Sequence, residues 1–297
     1  MITIMTPTYN RAYLLPEVYE SLKKQTCFDF EWIIVDDGSS DDTESLVGSW
    51  LKEESPFAIV YEKQPNGGKH RAVNRGVGMA KYDYFLILDS DDKLTSDAVE
   101  VIHSWIAQID GLEGFAGVAG LKGSETAAVG GTPKEPYIDA TNLERPKYGL
   151  MGDKAEIYKT EIMRQYPFPE FPGENFIREN ASWDQIAMAG WKLRWFSKVI
   201  YLCEYIADGL TQNTNAATYA KNFEGFTFCT KLFLQTHSGI QVLNKLGAFC
   251  DVAKRKGLTM ADARKILGVG FGKLLLGKTY YGIRQTAKGI LKRNAKH

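Results

Sequence analysis

The sequence predicts an α/β protein: a mostly parallel central sheet flanked by helices, followed by a helical C-terminal extension. Three observations predict it. Short, dense apolar runs alternate with segments of helical period through the first half of the chain. Three of those runs end abruptly in turn-forming or acidic residues, at Thr6-Pro7-Thr8, Asp36-Asp37-Gly38-Ser39 and Asp89-Ser90-Asp91-Asp92. Beyond Thr218 the apolar spacing stays helical to the end.

The elements follow in order. Ile2 to Met5 is a short strand, and Leu14, Leu15, Val18 and Leu22 recur at helical spacing behind it. Glu31 to Val35 is a second buried strand; Ser40 or Asp41 can cap the next helix, with Glu44 in its first turn. Phe57 to Tyr61 is a third strand, Lys69 to Met79 a helix, and Tyr84 to Leu88 a strand running into Asp89. Thr95 can cap a helix through Val99, Ile102 and Ile106. Strands joined by single helices imply right-handed βαβ units. The three polar strand ends therefore share one edge of one sheet, the edge where open α/β sheets bind ligands.

The second half is less regular. Ala116 to Ala119 and Lys192 to Tyr201 read as strands. Gly123 to Lys147 is a long polar stretch, expected as a loop or β-excursion over the site. Ala181 to Gly190 reads as a short helix carrying Trp183-Asp184-Gln185.

At 297 residues the chain can bury a full core. Its net charge is zero but unevenly spread. From Gln241 to His297 there are 13 Lys and Arg against Asp251 and Asp262, so this stretch carries +11 and residues 1–240 carry −11. Cys27, Cys203, Cys229 and Cys250 are scattered without a CxxC pair, as expected of reduced thiols in a cytosolic protein. The chain opens directly on a strand, so no signal peptide is expected, and no apolar stretch of about 20 residues exists to span a membrane.

The acidic cluster carries the most chemistry. Three carboxylates in four residues repel one another unless a cation or donors lie between them, and a hard divalent metal shared with a diphosphate suits such a set. A solvated turn that caps the next helix is the structural alternative. Asn66-Gly67-Gly68-Lys69-His70-Arg71 precedes a helix, where glycines permit close approach and the N-terminus attracts anions. It matches neither the GxGxxG nor the Walker A pattern, and a Gly-Gly turn bearing surface cations is the favoured reading of this stretch by itself. Tyr9 and Asp37 together suggest a base pocket, with a ring that stacks and a carboxylate that accepts an N–H.

Met5 to Arg11, Gln25-Thr26, Val35 to Ser39, Asp42-Thr43, Asn66 to Gly68, Asn74 to Gly76 and Leu88 to Asp92 together resemble glycosyltransferase family 2, in that family's order and spacing. The resemblance is strong over about residues 1–110 and extends more weakly to about 215. It implies a GT-A fold, a Rossmann-like catalytic domain over residues 1–215. Residues 1–110 would be its nucleotide-sugar half, 111–215 its acceptor half, and 216–297 a basic helical region. It also implies an inverting hexosyltransferase-type enzyme that uses a nucleotide-sugar donor, commonly a UDP-sugar, with Mn2+ or Mg2+. Carried over by residue, Pro7, Thr8 and Tyr9 line the nucleoside pocket and Asp37 is the base-binding acid. Lys69 approaches the diphosphate, Asp89 joins the nucleotide-sugar contacts, and Asp91 and Asp92 hold the metal. Asp184 takes the catalytic-base position, although Trp183 stands where an acid is common; Glu174 and Glu179 are rival acids. Gly152 to Glu156 either borders the acceptor or is a solvated turn.

A sugar-phosphate nucleotidyltransferase is an alternative, but its Gly-rich loop after the first strand is missing from Thr6 to Arg11. A non-catalytic nucleotide-sugar binder would be expected to lack the acid cluster or the distal base. The resemblance implies a glycan or lipid-linked acceptor, and so surface polysaccharide synthesis. The basic, amphipathic C-terminal region suggests peripheral contact with a membrane's inner face; no nucleic-acid module is present.

Overall fold

The computed structural model describes residues 1–124, 127–203 and 215–294. The chain divides into two compact units: residues 1–168 with 182–209, and residues 169–181 with 210–297. The short segment 169–181 thus groups with the C-terminal helices.

The first unit is built on one nine-stranded mixed sheet. Its strands are β1 (Ile2–Thr8), β2 (Phe30–Asp36), β3 (Ala58–Lys63), β4 (Tyr84–Ile87), β5 (Lys93–Leu94), β6 (Phe115–Gly123), β7 (Tyr137–Ala140), β8 (Lys154–Lys159) and β9 (Lys192–Leu202). The spatial order is β3-β2-β1-β4-β8-β6-β9-β5, with β7 paired to β9. The four strands β1 to β4 are mutually parallel. β8 enters antiparallel between β4 and β6, and β6 pairs parallel with β9. The sequence reading anticipated every parallel strand and missed β8, part of which it placed in the Gly152 to Glu156 stretch. Lys154 and Ala155 are buried there, so the solvated-turn alternative is wrong for them.

Alternation along the strands decides which helix covers which face. Ile2, Ile4, Phe30, Trp32 and Ile34 face α1 (Leu15–Lys23), α2 (Thr43–Trp50) and, farther along the sheet, α4 (Ala98–Ala107). Tyr19, Trp32 and Trp50 stack on one another with centroids 4.5–5.8 Å apart, each pair worth about 0.5–1.5 kcal/mol beyond burial. On the opposite face α3 (Lys69–Met79) lies so close that a Cβ on Gly76 would meet Met5 Cγ at 2.6 Å. Helices on both faces leave the carboxyl edge of β1, β2 and β4 as the place for a site.

The second unit holds α7 (Ala216–Lys221), α8 (Phe223–Thr236), α9 (Gly239–Arg255), α10 (Met260–Leu267) and α11 (Phe271–Asn294), while α5 (Thr160–Gln165) and, from Ser182 on, α6 (Asn180–Met188) belong to the first. Its core is Phe223, Phe226, Val242, Leu246, Phe249, Ala263, Leu267 and Leu274. Glycines set the α9–α11 crossing: a Cβ on Gly247 would lie 2.1 Å from the Tyr281 Cβ and 2.5 Å from the Gly277 carbonyl. Glu174, a rival acid in the sequence reading, accepts the Glu224 and Gly225 N–H groups at 2.7 and 2.8 Å and caps α8. No described helix is long and apolar enough to cross a membrane.

Candidate active site

Parallel register brings the predicted strand ends side by side. Thr8 pairs with Asp36, Met5 pairs with Ile87, and Leu88 N–H donates to the Met5 carbonyl at 2.8 Å. Pro7 and Thr8 close β1, both buried; Tyr9 follows them, exposed. The Thr8 Oγ1 is buried and, among the described residues, has no hydrogen-bond partner. Asn10 takes a left-handed conformation (φ 52°), its N–H donates to Ser39 Oγ and its Oδ1 accepts from Ser40 N–H, each at 2.8 Å. The loops after β1 and β2 are thereby laced together. Gly38 sits at φ 84°, where a Cβ would press to 2.8 Å of the Asn66 nitrogen; only glycine suits that position.

Asp37 is 4% exposed and heavily engaged. One of its oxygens accepts from Gln64 Nε2 and Gly67 N–H at 2.8 and 2.9 Å, and the other from Gly68 N–H at 2.7 Å. Asn66 Nδ2 donates to its main-chain carbonyl at 2.8 Å. The sequence reading expected the N-terminus of α3 to attract a phosphate. The anion found there is the protein's own Asp37 carboxylate. A carboxylate offers about four lone-pair positions, so one remains for a ligand N–H.

Lys69, the first residue of α3, forms an ion pair with Asp89, and Lys122 on β6 lies 3.9 Å from the other Asp89 oxygen. Burial alone would raise the Asp89 carboxyl, but the two ammonium groups outweigh it and hold the group below its ordinary range. Asp91 and Asp92 differ: neither forms an ion pair among the described residues. Burial, then the charge of Asp89, pushes Asp91 up, and the same two causes push Asp92 up to about 7. Tyr201 on β9 ties the turn down. Its hydroxyl accepts the Asp89 N–H at 2.8 Å and bonds the Asp92 carboxylate, while its ring carries the Lys122 ammonium 4.0 Å from the centroid. Sequence reasoning missed both Lys122 and Tyr201.

The donor set fits a hard divalent cation. One carboxylate is ion-paired; two others, adjacent and partly desolvated, form no ion pair among the described residues. Asp89, Asp91 and Asp92 do not each bring an oxygen to within 4.8 Å of the other two. Among the described residues these three carboxylates therefore do not form a three-ligand set by themselves.

Asp184 lies on α6 and is 5% exposed. Its neighbour Trp183 stacks on Tyr158 of β8 at 4.5 Å and meets Phe168 edge-on at 5.5 Å. Tyr158 in turn is paired in register with Phe85 of β4, the strand that leads into Asp89. The aromatic at position 183 thus fixes the helix on the sheet.

Residues 3–112 match the profile of Glycosyl transferase family 2. The glycosyltransferase GlyG of Streptococcus pneumoniae serotype 4 is 30% identical over 110 residues, 37% of this chain and 36% of its own length. The GalNAc(5)-diNAcBac-PP-undecaprenol beta-1,3-glucosyltransferase of Campylobacter jejuni is 34% identical over 105 residues, 34% of this chain and 33% of its own length. The match thus spans about a third of these curated relatives. Among solved structures, S. aureus TarS 1-349 with UDP-GlcNAc aligns over 96% of this chain and 92% of its own (TM-score 0.62, 19% identity). The Pyrobaculum calidifontis mannosyltransferase PcManGT, with GDP-Man and Mn2+, aligns over 94% and 86% (TM-score 0.57, 17% identity). These likenesses confirm the expected GT-A architecture.

Proposed function

We propose that this chain, a member of glycosyl transferase family 2 through residues 3–112, is a metal-dependent inverting glycosyltransferase. It moves a sugar from a nucleoside diphosphate sugar, a UDP-sugar, to a hydroxyl of a glycan or lipid-linked acceptor in surface polysaccharide synthesis. One observation carries the reading: three parallel strand ends meet at a turn where Asp89 is neutralised by lysines while Asp91 and Asp92 are not. The UDP-GlcNAc of TarS and the GDP-Man and Mn2+ of PcManGT belong to those proteins, and they support the ligand class here.

Pro7, the unpartnered Thr8 hydroxyl and the exposed Tyr9 ring line the nucleoside, and Asp37 accepts one N–H of the base with its remaining lone pair. Asp91 and Asp92 would hold Mn2+ or Mg2+, which would supply Lewis-acid neutralisation of the leaving diphosphate. Lys69 and Lys122, held at Asp89, provide further positive charge beside it, and Asp89 contacts the nucleotide sugar. Asp184 takes the acceptor's hydroxyl proton as the new bond forms, a contribution of about 10²–10⁴-fold. The chain works in the cytoplasm, in peripheral contact with a membrane through its basic C-terminal region.

A thermal-shift panel of nucleoside diphosphates and nucleotide sugars, run with and without Mn2+, tests this. One nucleoside family should stabilise the chain, and more so with the metal. A flat panel under both conditions overturns the reading.

A further inference from the structure

The peripheral-membrane element of that reading names no surface. We infer that the outward face of α11 is an interfacial helix that seats on an anionic lipid bilayer. Leu274, Gly277 and Tyr281 turn toward the second unit's core: Leu274 is fully buried, and Gly277 and Tyr281 pack against Leu246 and Gly247 of α9. At 100° per residue these three positions share one narrow stripe, and the opposite side is occupied by Phe271, Leu275, Leu276 and Ile283, within an arc of about 140°. Those four side chains are 54%, 45%, 63% and 66% exposed. Over residues 271–287 only uncharged residues, Gly272, Thr279, Gly282 and Thr286, share that arc; farther along the helix Arg293 falls on it.

Cations mark both margins. Lys278 lies on one side of the apolar arc, and Lys273 and Arg284 lie on the other. Among the described residues none of the three pairs with a carboxylate; Arg284 donates to Asn244 Oδ1 at 2.6 Å and Lys278 leans on the Met260 sulfur at 3.5 Å. The chain has no Asp or Glu after Asp262, against nine Lys and Arg from Arg264 to Lys296. An exposed apolar stripe with basic shoulders and no acid matches the charge and polarity profile of a bilayer interface containing anionic lipid. A water-facing helix has no use for four large apolar residues on its outer side. Charge complementarity selects the occupant: a second copy of this face would set like charges against one another.

Co-sedimentation of the full chain with vesicles decides. Phosphatidylglycerol-containing vesicles should retain it, pure phosphatidylcholine should retain it at least tenfold less, and raising salt from about 0.1 to 0.5 M should weaken retention. The double variant Leu276→Asp/Ile283→Asp should lose binding at least tenfold with unchanged helix content. Lys273→Gln/Lys278→Gln, which leaves the apolar arc intact, should lose about tenfold or more. Nucleotide-induced thermal shifts should be the same in both variants and the parent, which separates this surface from the proposed catalytic reading. Equal retention on neutral and anionic vesicles, unaltered retention of the variants, or concentration-dependent dimerisation abolished by the Asp substitutions overturns the inference.

Discussion

Asp37→Asn separates structural from ligand-binding work at the nucleoside end of the site. In the parent, one buried carboxylate accepts from Gln64, Gly67 and Gly68 and places a full negative charge at the N-terminus of α3. The amide keeps the shape but turns one acceptor oxygen into a donor. At least one backbone N–H is then left facing an N–H, a loss of about 1–3 kcal/mol, and the surviving bonds lose their charge assistance, roughly another 1 kcal/mol. Loss of the anion at the helix terminus adds about 0.3–1 kcal/mol. The sum is about 2–5 kcal/mol. For a folding unit of 150–250 residues each kcal/mol moves Tm by about 2–4 °C, so a fall of roughly 4–20 °C is expected. Calorimetric melting without nucleotide measures it, with Tyr9→Ala as the comparison because that ring is exposed. An Asp37→Asn variant that melts within 1 °C of the parent would refute the assignment of this carboxylate to the loop.

Further outcomes are expected elsewhere. Lys154 is 1% exposed, donates to the carbonyls of Val129, Met151 and Asp153, and is pushed by burial down to about 8. Because its folded value lies below the unfolded one of about 10.4, the unfolded chain binds more protons between those values. Stability should therefore rise by up to about 2–3 kcal/mol between pH 8 and 10.5; urea melts of Lys154→Met should lack the rise, and parallel profiles would contradict it. Lys122→Met removes one of the two cations at Asp89 and should weaken nucleoside diphosphate binding about tenfold by calorimetry; undiminished affinity argues against a role at the diphosphate. Asp184→Asn should keep donor binding and lose transfer by about 10²-fold or more, and full transfer would remove it from the base position.

The parts of the site that depend on strand ends were legible because a parallel α/β pattern sends every carboxyl end to one edge. Thr8, Asp37 and Asp89 to Asp92 needed only their position after an apolar run. Lys122 and Tyr201 were not legible. They reach Asp89 through the β6–β9 pairing, across 33 and 112 residues of sequence, and nothing local in either strand announces it. β8 was missed because Lys154 opens a buried strand with a cation, which reads as surface until its three carbonyl partners are seen. Trp183 looked like a departure from an acidic pair, but its stacking on Tyr158 gives it a packing role that a family motif does not encode. The loop after β3 was read either as a Gly-Gly turn or as a helix start that attracts a phosphate; the anion there is internal, a pairing invisible without Asp37 in place.

Manganese-assisted donor binding is the most direct test of the metal assignment. Isothermal titration of the matching nucleoside diphosphate sugar should show at least tenfold tighter binding with Mn2+, and Asp91→Ala should abolish that gain while melting at the parent's temperature. Equal affinity with and without Mn2+, or a variant that keeps the full gain, would contradict the account.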